Sequence, residues 1–308
     1  MCNSRYHRAA SLLLFKTRVD PMQRLTDLDS ARDFVWSQRS KGKTVGVVPT
    51  MGALHEGHLS LVRLSKKRCD FTVATIFVNP TQFAANEDLG TYPRTLQQDC
   101  EGLAAAGADA VFLPSEPMMY PQGFSTYVQP PDVAKTLEGR FRPSHFRGVT
   151  TVVLKLLNIL QASHAIFGRK DYQQLQVIEA MVRDLNLGIK ILGGDIVREP
   201  DGLALSSRNR YLSESERRRA LKLSESLQRA KDLIADGESD AQKLKSAMRD
   251  TLIGGKQGEG VDQIDYAVLV DQKTLQPVES LSGPTMALIA AHVGNTRLID
   301  NAQVWPAS

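Results

Sequence analysis

The chain has 308 residues, of which 42% are hydrophobic and 23% are charged, a composition typical of a globular protein with a sizeable core. The 38 basic and 34 acidic residues give a net charge of +4, which is too small to predict a nucleic-acid partner. No apolar run approaches the roughly 18 residues of a membrane span, so we expect no membrane partner. Cys2, Cys69 and Cys100 have no metal-binding or redox spacing and predict reduced thiols in a cytoplasmic protein.

The beginning of the chain differs from the rest. Residues 1–19 contain basic side chains and no acidic one, a faint indication of a targeting peptide. The apolar segment at 11–15 is too short for a signal sequence, so an upstream-extended start is the preferred interpretation. Because residues 1–21 have no periodic apolar face, we expect them to be an extension that the folded protein does not need.

Between residues 22 and 196, short apolar runs alternate with helical patterns. This alternation predicts a Rossmann-like α/β domain with a parallel sheet and crossover helices. The predicted strands cover 45–48, 72–78, 110–113, 164–167 and 189–192, and the predicted helices include 149–161 and 172–185. Ligands of such sheets bind beyond the carboxyl ends of the strands. Polar residues follow three of the runs there, namely His55 and His58, Asn79 and Gln82, and Lys170 and Asp171.

From residue 197 the pattern changes and predicts a smaller α+β domain, residues 197–308. A charged helix over 213–235 and a second helix over 241–252 precede strand-like runs at 261–271, 286–293 and 296–304. We expect these runs to pair as antiparallel hairpins. Because a small domain that is joined at one boundary can swing, we also expect it to close as a lid and exclude water from the site.

The most informative stretch is Pro49 to His58, PTMGALHEGH. It is predicted to join a strand, ended by Pro49, to an amphipathic helix. Unpaired N–H groups at the start of such a helix attract anions, and Gly52 and Gly57 let a ligand approach the backbone. Residues three apart share a helix face, so His55 and His58 are predicted to donate to one phosphate chain.

Three other interpretations compete for this stretch. Zinc binding by an HExxH motif is disfavoured because that motif places its histidines four positions apart rather than three. Capping or core histidines would be preferred for a single histidine, but two histidines around Glu56 and Gly57 favour a ligand. A dinucleotide-binding fingerprint requires GxGxxG, which is absent here.

The stretch resembles the HxGH signature of the nucleotidyltransferase superfamily and, in its extended form, the pantoate–β-alanine ligase family. Five further blocks are similar to that family in the same order: FVNPTQF at 77–83, DLGTYPRT at 88–95, RPSHFRGVTTVVLKLLN at 142–158, FGRKDYQQL at 167–175 and DGLALSSRNRYL at 201–212. Six ordered blocks are far more specific than one. The resemblance implies ATP-dependent joining of pantoate to β-alanine through a pantoyl adenylate, with AMP and pyrophosphate released, in a homodimer.

The resemblance also implies roles for individual residues. His58, His55, Lys170 and Arg208 are the expected catalytic residues, and His58 is the expected proton donor to the leaving phosphate. Val197 is expected to contact adenine through its backbone. The full set of expected ATP-binding residues is Met51, Gly52, Ala53, Leu54, His55, Glu56, Gly57, His58, Gly168, Arg169, Lys170, Asp171, Val197, Leu205, Ser206, Ser207 and Arg208.

Two amides are expected at the other substrate. Gln82 and Gln174 match residues that hold pantoate, with Gln82 also near β-alanine, and an amide both donates and accepts. A solvent-facing or capping role is the open alternative for each. The segment 206–209 occupies the place of a KMSKS-like loop that closes over the triphosphate, although such a tetrapeptide is also an ordinary cap or turn.

Two residues depart from the family pattern. Arg169 stands where Glu is usual and Ser144 where Gly is usual, and the first of these puts a cation beside the expected ATP segment. Magnesium is expected to accompany ATP, held mainly by phosphates and water, with Asp99 as an outer ligand. Two alternatives stay open, an adenylyltransferase acting on another small acceptor and a nucleotide-binding module without turnover. Lys170 and Arg208 argue against the module, because adenine binding alone needs neither.

Overall fold

The computed structural model describes residues 22–84, 88–255 and 258–305. The predicted extension, residues 1–21, lies outside these ranges. The first part of the described chain forms a six-stranded sheet made of β1 (Gln23–Leu25), β2 (Val45–Thr50), β3 (Phe71–Ile76), β4 (Ala110–Phe112), β5 (His164–Gly168) and β6 (Lys190–Gly194). Every pairing within it is parallel. The predicted fold class is therefore confirmed, with the short β1 as an additional strand.

Helices cover both faces of this sheet. They are α1 (Leu28–Arg39), α2 (Glu56–Arg68), α3 (Leu96–Ala105), α4 (Glu116–Met119), α5 (Glu138–Phe141), α6 (His145–Leu160) and α7 (Tyr172–Asp184). One apolar core joins the sheet to α1, α6 and α7, and another joins its opposite face to α2 and α3. The central strands β2 to β5 are buried on both faces and show the continuous apolar runs from which they were predicted.

The strand order is β1-β4-β3-β2-β5-β6. The strands that follow β2 in the chain therefore lie on both sides of it, β3 and β4 on one side and β5 and β6 on the other. The ladder between β2 and β5 ends at Val47 and Ala165, and beyond it the two strands diverge at their carboxyl ends. A crevice opens at such a switch point. The prediction that Pro49 ends the strand is wrong: β2 continues to Thr50, because by Pro49 only β3 still pairs with it.

The second part of the chain contains three helices and three strands within the described ranges. These are α8 (Glu214–Ala220), α9 (Lys222–Ala235), α10 (Ala241–Ile253), β7 (Gln263–Asp271), β8 (Thr285–Val293) and β9 (Thr296–Trp305). The order β7-β8-β9 is antiparallel, as predicted. The single helix predicted over 213–235 is two helices that meet at Leu221. Neither proline nor glycine marks the break, so the sequence pattern does not reveal it.

The two parts meet through a buried polar contact. Glu138, only 6% exposed, accepts two hydrogen bonds of 2.7 Å from the Arg297 guanidinium and one of 2.8 Å from the Tyr266 hydroxyl. Burial would raise the pKa of Glu138, but its hydrogen bonds and the charge of Arg297 lower it. A small apolar cluster around Tyr172 and Leu275 seals the same contact.

Candidate functional site

The carboxyl edge of the parallel sheet opens into a cleft of about 250 Å³. Its walls come from the ends of β2, β3, β5 and β6 and from one side of α6. The segment 205–208 from the second part of the chain completes it. Fourteen residues of the predicted site line this one cleft: Met51, His55, Gly57, His58, Gln82, Gly168, Lys170, Asp171, Gln174, Val197, Leu205, Ser206, Ser207 and Arg208.

His55 and His58 cap the helix that they precede. His55 is the N-cap residue of α2, and its Nδ1 accepts the backbone N–H of Gly57 at 3.2 Å. In return, the Nδ1 of His58 accepts the backbone N–H of His55 at 3.4 Å. The two rings lie 4.1 Å apart between centroids. The prediction of unpaired N–H groups is therefore wrong for Gly57 and His58, whose backbone N–H groups are both paired. The capping interpretation is confirmed, and donation to a phosphate chain stays a prediction.

Capping determines the protonation of both rings. Because each Nδ1 accepts a backbone N–H, each neutral ring carries its proton on Nε2, which leaves an N–H donor on the opposite edge. Loss of hydration, followed by the nearby charges of His58 and Lys170, lowers the pKa of His55 to about 3. Loss of hydration also lowers the pKa of His58 to about 4, against the opposing effect of Asp171. Both histidines are neutral donors at neutral pH.

Asp99 fixes the loop between β2 and α2. Its carboxylate, 3% exposed, accepts the backbone N–H of Ala53 at 3.0 Å and of Leu54 at 2.8 Å. Thr95 adds a hydroxyl donor at 3.1 Å. The loop needs this support because Gly52 and Ala53 both have a positive φ, 86° and 49°. Asp99 lies on the side of the loop away from the cleft, and its role near magnesium stays a prediction.

Cationic groups approach the cleft from three segments, which carry Arg142, Lys170 and Arg208. Lys170 follows β5, and its Nζ lies 3.7 Å from a carboxylate oxygen of Asp171. Arg208 enters from the second part of the chain. Loss of hydration would raise the pKa of Asp171, but the charges of Lys170 and Arg208 lower it. The cleft lining thus contains three cations, Arg142, Lys170 and Arg208, and two carboxylates, Asp171 and Asp195, beside the neutral imidazoles of His55 and His58. This arrangement suits a polyanion.

A hydrogen-bond network orients Gln82. The Asn79 amide donates to the Gln82 side-chain oxygen at 3.0 Å, while the oxygen of Asn79 accepts from the Tyr120 hydroxyl at 2.7 Å. The amide N–H groups of Gln82 are thereby directed toward Met51, at the cleft. Gly148 allows this turn to pack against α6, since a Cβ there would collide with the backbone of residues 81 and 82.

Several expected residues lie outside the cleft. Gly52, Ala53 and Leu54 shape the loop, and exposed Glu56 forms an ion pair with Arg63. The guanidinium of Arg169 lies 3.7 Å from Asp195 instead of lining the cleft. Ser144 has φ −90°, a value that does not require glycine.

Other lining residues were not assigned to the site from the sequence. They include an apolar wall of α6 and the side chains of Phe77, Phe83, Tyr92, His145, Val149, Val152, Val153, Leu156 and Phe167. The sequence feature that could have revealed them is the apolar stripe of α6. Such a stripe is equally typical of a helix that packs against the core, so it did not indicate a ligand site. The Nδ1 of His145 lies 3.0 Å from the carbonyl oxygen of Gln82. Because a carbonyl can only accept, this nitrogen carries a proton and donates it.

The described chain contains neither a cluster of metal-binding side chains nor a helix that could span a membrane. In the ranges 22–84, 88–255 and 258–305, no group of three or more His, Cys, Asp or Glu side chains could hold a metal ion. None of the described helices has both the length and the apolar composition needed to cross a bilayer.

Fold and cleft together define a Rossmann-like α/β protein with a ligand site at the switch point of its sheet. A model of the pantoate-beta-alanine ligase family matches residues 23–303. Pantothenate synthetase of Rhodopirellula baltica is 52% identical over 286 residues, which cover 92% of this chain and 99% of that protein. The corresponding protein of Moorella thermoacetica is 49% identical over 280 residues, covering 91% and 98%. The chain belongs to the pantoate-beta-alanine ligase family.

Solved structures agree. Pantothenate synthetase from Thermus thermophilus superposes with a TM-score of 0.87 at 39% identity, covering 92% of this chain and all of that one. Pantoate-beta-alanine ligase from Francisella tularensis, described as complexed with beta-gamma ATP and beta-alanine, superposes with a TM-score of 0.72 at 34% identity, covering 92% and 97%.

The first prediction concerns Asp99. Asp99→Asn should lower the free energy of unfolding by about 1–3 kcal/mol, since an amide cannot accept both loop N–H groups through two oxygens. If the carboxylate supports only the loop, the magnesium concentration that gives half-maximal activity should not change. Asp33→Asn, on the exposed surface of α1, is the matched control. A several-fold higher magnesium requirement in Asp99→Asn alone would assign this residue to the metal.

The second prediction concerns pH. The pKa values of His55 and His58 fall from 6.5 to about 3 and about 4 in the folded protein. Only the unfolded chain therefore takes up protons as the pH drops from about 6.5 toward 4. The free energy of unfolding should fall over this window by up to about 1.4 kcal/mol per pH unit for each histidine. In urea titrations at a series of pH values, His58→Asn should remove the contribution of one histidine to this pH dependence. An unchanged slope would mean that His58 is charged in the fold.

Proposed function

We propose that the protein condenses pantoate with β-alanine in an ATP-dependent reaction that passes through an enzyme-bound pantoyl adenylate. Membership of the pantoate-beta-alanine ligase family supports the overall reaction. The observation that carries the mechanism is the shared cleft: groups suited to phosphate and amides suited to a hydroxy acid line one cavity.

The chemistry requires activation of the carboxylate. An amine cannot expel oxide from a carboxylate at a useful rate near neutral pH. A pantoate oxygen therefore attacks the α-phosphorus of ATP, the bond to the bridging oxygen breaks, and pyrophosphate leaves with that electron pair. The β-alanine nitrogen then attacks the acyl carbon, the bond to AMP breaks, and the amine loses its proton. Positioning and electrostatic stabilisation supply most of the catalysis of such a phosphoryl step.

The roles of the phosphate-side residues follow from their donors. His55 and His58 direct Nε2–H groups to the leaving phosphates, where negative charge develops. Neutral imidazoles suit this task, because the donors are present without a pH-dependent change of charge. Lys170 supplies a compact charge and Arg208 a forked one from the opposite segment. Together they stabilise the departing pyrophosphate more than the bound ATP.

The remaining assignments complete the proposal. Gln82 and Gln174 hold the hydroxyls and carboxylate of pantoate, with Gln82 near the site of β-alanine attack. Magnesium accompanies ATP and would supply charge neutralisation to the phosphates, and Asp171 and the more exposed Asp195 are the carboxylates that line the cleft. We further propose a homodimer in the cytoplasm, an environment compatible with the free, buried Cys69 and Cys100.

Product analysis tests the function against its alternatives. Incubation with ATP, pantoate and β-alanine should yield AMP, pyrophosphate and pantothenate in equal amounts. Nucleotide transfer that ignores pantoate and needs another acceptor would indicate an adenylyltransferase. Binding of ATP without turnover would indicate a regulatory module. Omission of β-alanine should leave adenylate formation intact and stop pantothenate formation.

The third prediction separates the two edges of His58. His58→Ala should fold yet form the adenylate about a hundredfold more slowly, or worse, because a donor to the leaving phosphate is lost. His58→Asn can retain the capping acceptor without the outward donor and should be equally slow. His58→Gln can place an N–H near the position of Nε2 and should recover part of the rate. Near-normal pyrophosphate release by folded His58→Asn would contradict the role.

The fourth prediction concerns the pantoate side. Gln82→Ala and Gln174→Ala should raise the KM for pantoate and leave ATP affinity nearly unchanged, since a contact equal in ground and transition states appears mainly in KM. Calorimetry with ATP and steady-state kinetics with pantoate measure the two effects. A large loss of ATP affinity with an unaltered pantoate requirement would overturn the assignment.

The fifth prediction concerns the lid. We propose that residues 197–308 form a lid domain whose closing edge is the segment 198–212. The hydrogen bond of 3.3 Å from the Ser207 hydroxyl to the Ala53 carbonyl supports this, because it joins that edge to the loop after β2. ATP plus pantoate should protect 198–212 from hydrogen exchange, and Arg208→Ala should weaken the protection. Exchange that is identical with and without ligands would indicate a rigid scaffold.

A further inference from the structure

Two adjacent polar residues are buried in the middle of β9. Asp300 and Asn301 are each 3% exposed, although β9 belongs to the small domain and neither residue lines the cleft described above. Buried polar side chains cost free energy unless they are hydrogen-bonded. The partners of this pair are therefore informative about its purpose.

Asn301 binds the turn that carries Lys170. Its side-chain nitrogen donates to the carbonyl oxygen of Arg169 at 3.0 Å and to that of Lys170 at 2.8 Å. One amide nitrogen has two protons, so it can serve both carbonyls. These carbonyls belong to the peptide groups that flank the Lys170 side chain along the chain. The contact thus restrains the backbone from which the ammonium group extends.

Asp300 binds the other nucleotide segment. Its two oxygens accept the Arg198 guanidinium at 2.7 and 2.9 Å, a bidentate pair. Arg198 begins a small hairpin that is closed by the Arg198–Ala204 bridge and by the hydrogen bond of 3.0 Å from Leu205 N–H to the Val197 carbonyl. Residues 206–208 follow directly, and they line the cleft.

We infer that Asp300 and Asn301 are positioning residues that hold the Lys170 turn and the Arg208 segment at a fixed separation when the lid is closed. The inference rests on the proposed function, because it concerns how two cations reach the same phosphates. Peptide geometry makes the coupling tight: neighbouring residues on a strand are about 3.3 Å apart, so movement of one segment is transmitted to the other. Misplacement of a reacting group by about 1 Å is enough to cost about a hundredfold in rate.

The competing explanation is that the pair only joins the two domains. Other contacts already do so, among them the Tyr266–Glu138 hydrogen bond of 2.8 Å and the Tyr172–Gln272 hydrogen bond of 2.8 Å. Neither of these two bonds reaches the backbone of Arg169 or Lys170. Tyr266→Phe therefore removes an interdomain hydrogen bond and leaves both nucleotide segments untouched, which makes it the matched control.

Kinetics on the full chain test the inference. Asn301→Leu, of similar size but without a donor, should lower kcat for adenylate formation by about tenfold to a hundredfold. Asp300→Asn, which keeps the shape but loses the charge, should act in the same direction. The KM for pantoate should stay within about twofold, while ATP affinity measured by calorimetry falls. Tyr266→Phe should retain kcat. Equal losses in Tyr266→Phe and Asn301→Leu would reduce the pair to a domain contact.

A double-mutant cycle gives a second test, one that loss of stability alone would not satisfy. If Asn301 acts through Lys170, then Asn301→Leu should cost little more in the Lys170→Ala background. If the double variant instead loses activity by the product of the two single-variant factors, the inference is overturned. Should Asn301→Leu fail to fold, Asn301→Ser supplies the same cycle. Absence of pantothenate formation by the wild type would refute the proposed function instead, and the ATP affinities of wild type and Asn301→Leu would still decide the inference.

Discussion

The reciprocal cap at the start of α2 is the constraint on which the site depends. His55 and His58 each use Nδ1 to accept a backbone N–H, so each presents an Nε2–H to the cleft. The tautomer and charge of a surface histidine depend on the solvent. Here the backbone N–H groups at the helix terminus fix the tautomer. The motif spacing follows from this geometry, because a reciprocal cap needs its two side chains at the N-cap and three residues later.

The rest of the fold supports this element from outside. Asp99 holds the loop in its strained conformation, and the divergence of β2 from β5 opens space in front of the rings. Loss of hydration, together with the positive charge of Lys170, keeps the pKa values of both imidazoles low. A bound polyanion would reverse part of that shift, because negative charge favours protonation. The site is thus electrostatically unsatisfied until phosphates arrive.

Sequence patterns predicted the parallel sheet and the polar residues that line the cleft at its carboxyl edge, because continuous apolar runs and polar residues at strand ends are local signals. They missed the extent of β2 through Pro49, since the tolerance of proline depends on where the neighbouring ladder stops. They missed the break at Leu221 for a similar reason. The resemblance pointed to Lys170 and Arg208, which line the cleft, whereas the contacts of Asp300 and Asn301 could not be predicted from the sequence. Those contacts join residues more than a hundred positions apart, and no local pattern records them.

The function of the cleft depends on two histidines that are neutral and carry their proton on Nε2. Nitrogen-15 NMR of the intact enzyme, labelled at its histidine rings, measures this directly, with His55→Asn and His58→Asn used for assignment. Both residues should show an unprotonated Nδ1 and a protonated Nε2 at neutral pH. The same pattern should persist about one pH unit below the ordinary titration range of histidine. Imidazolium signals at neutral pH, or protons on Nδ1, would contradict it.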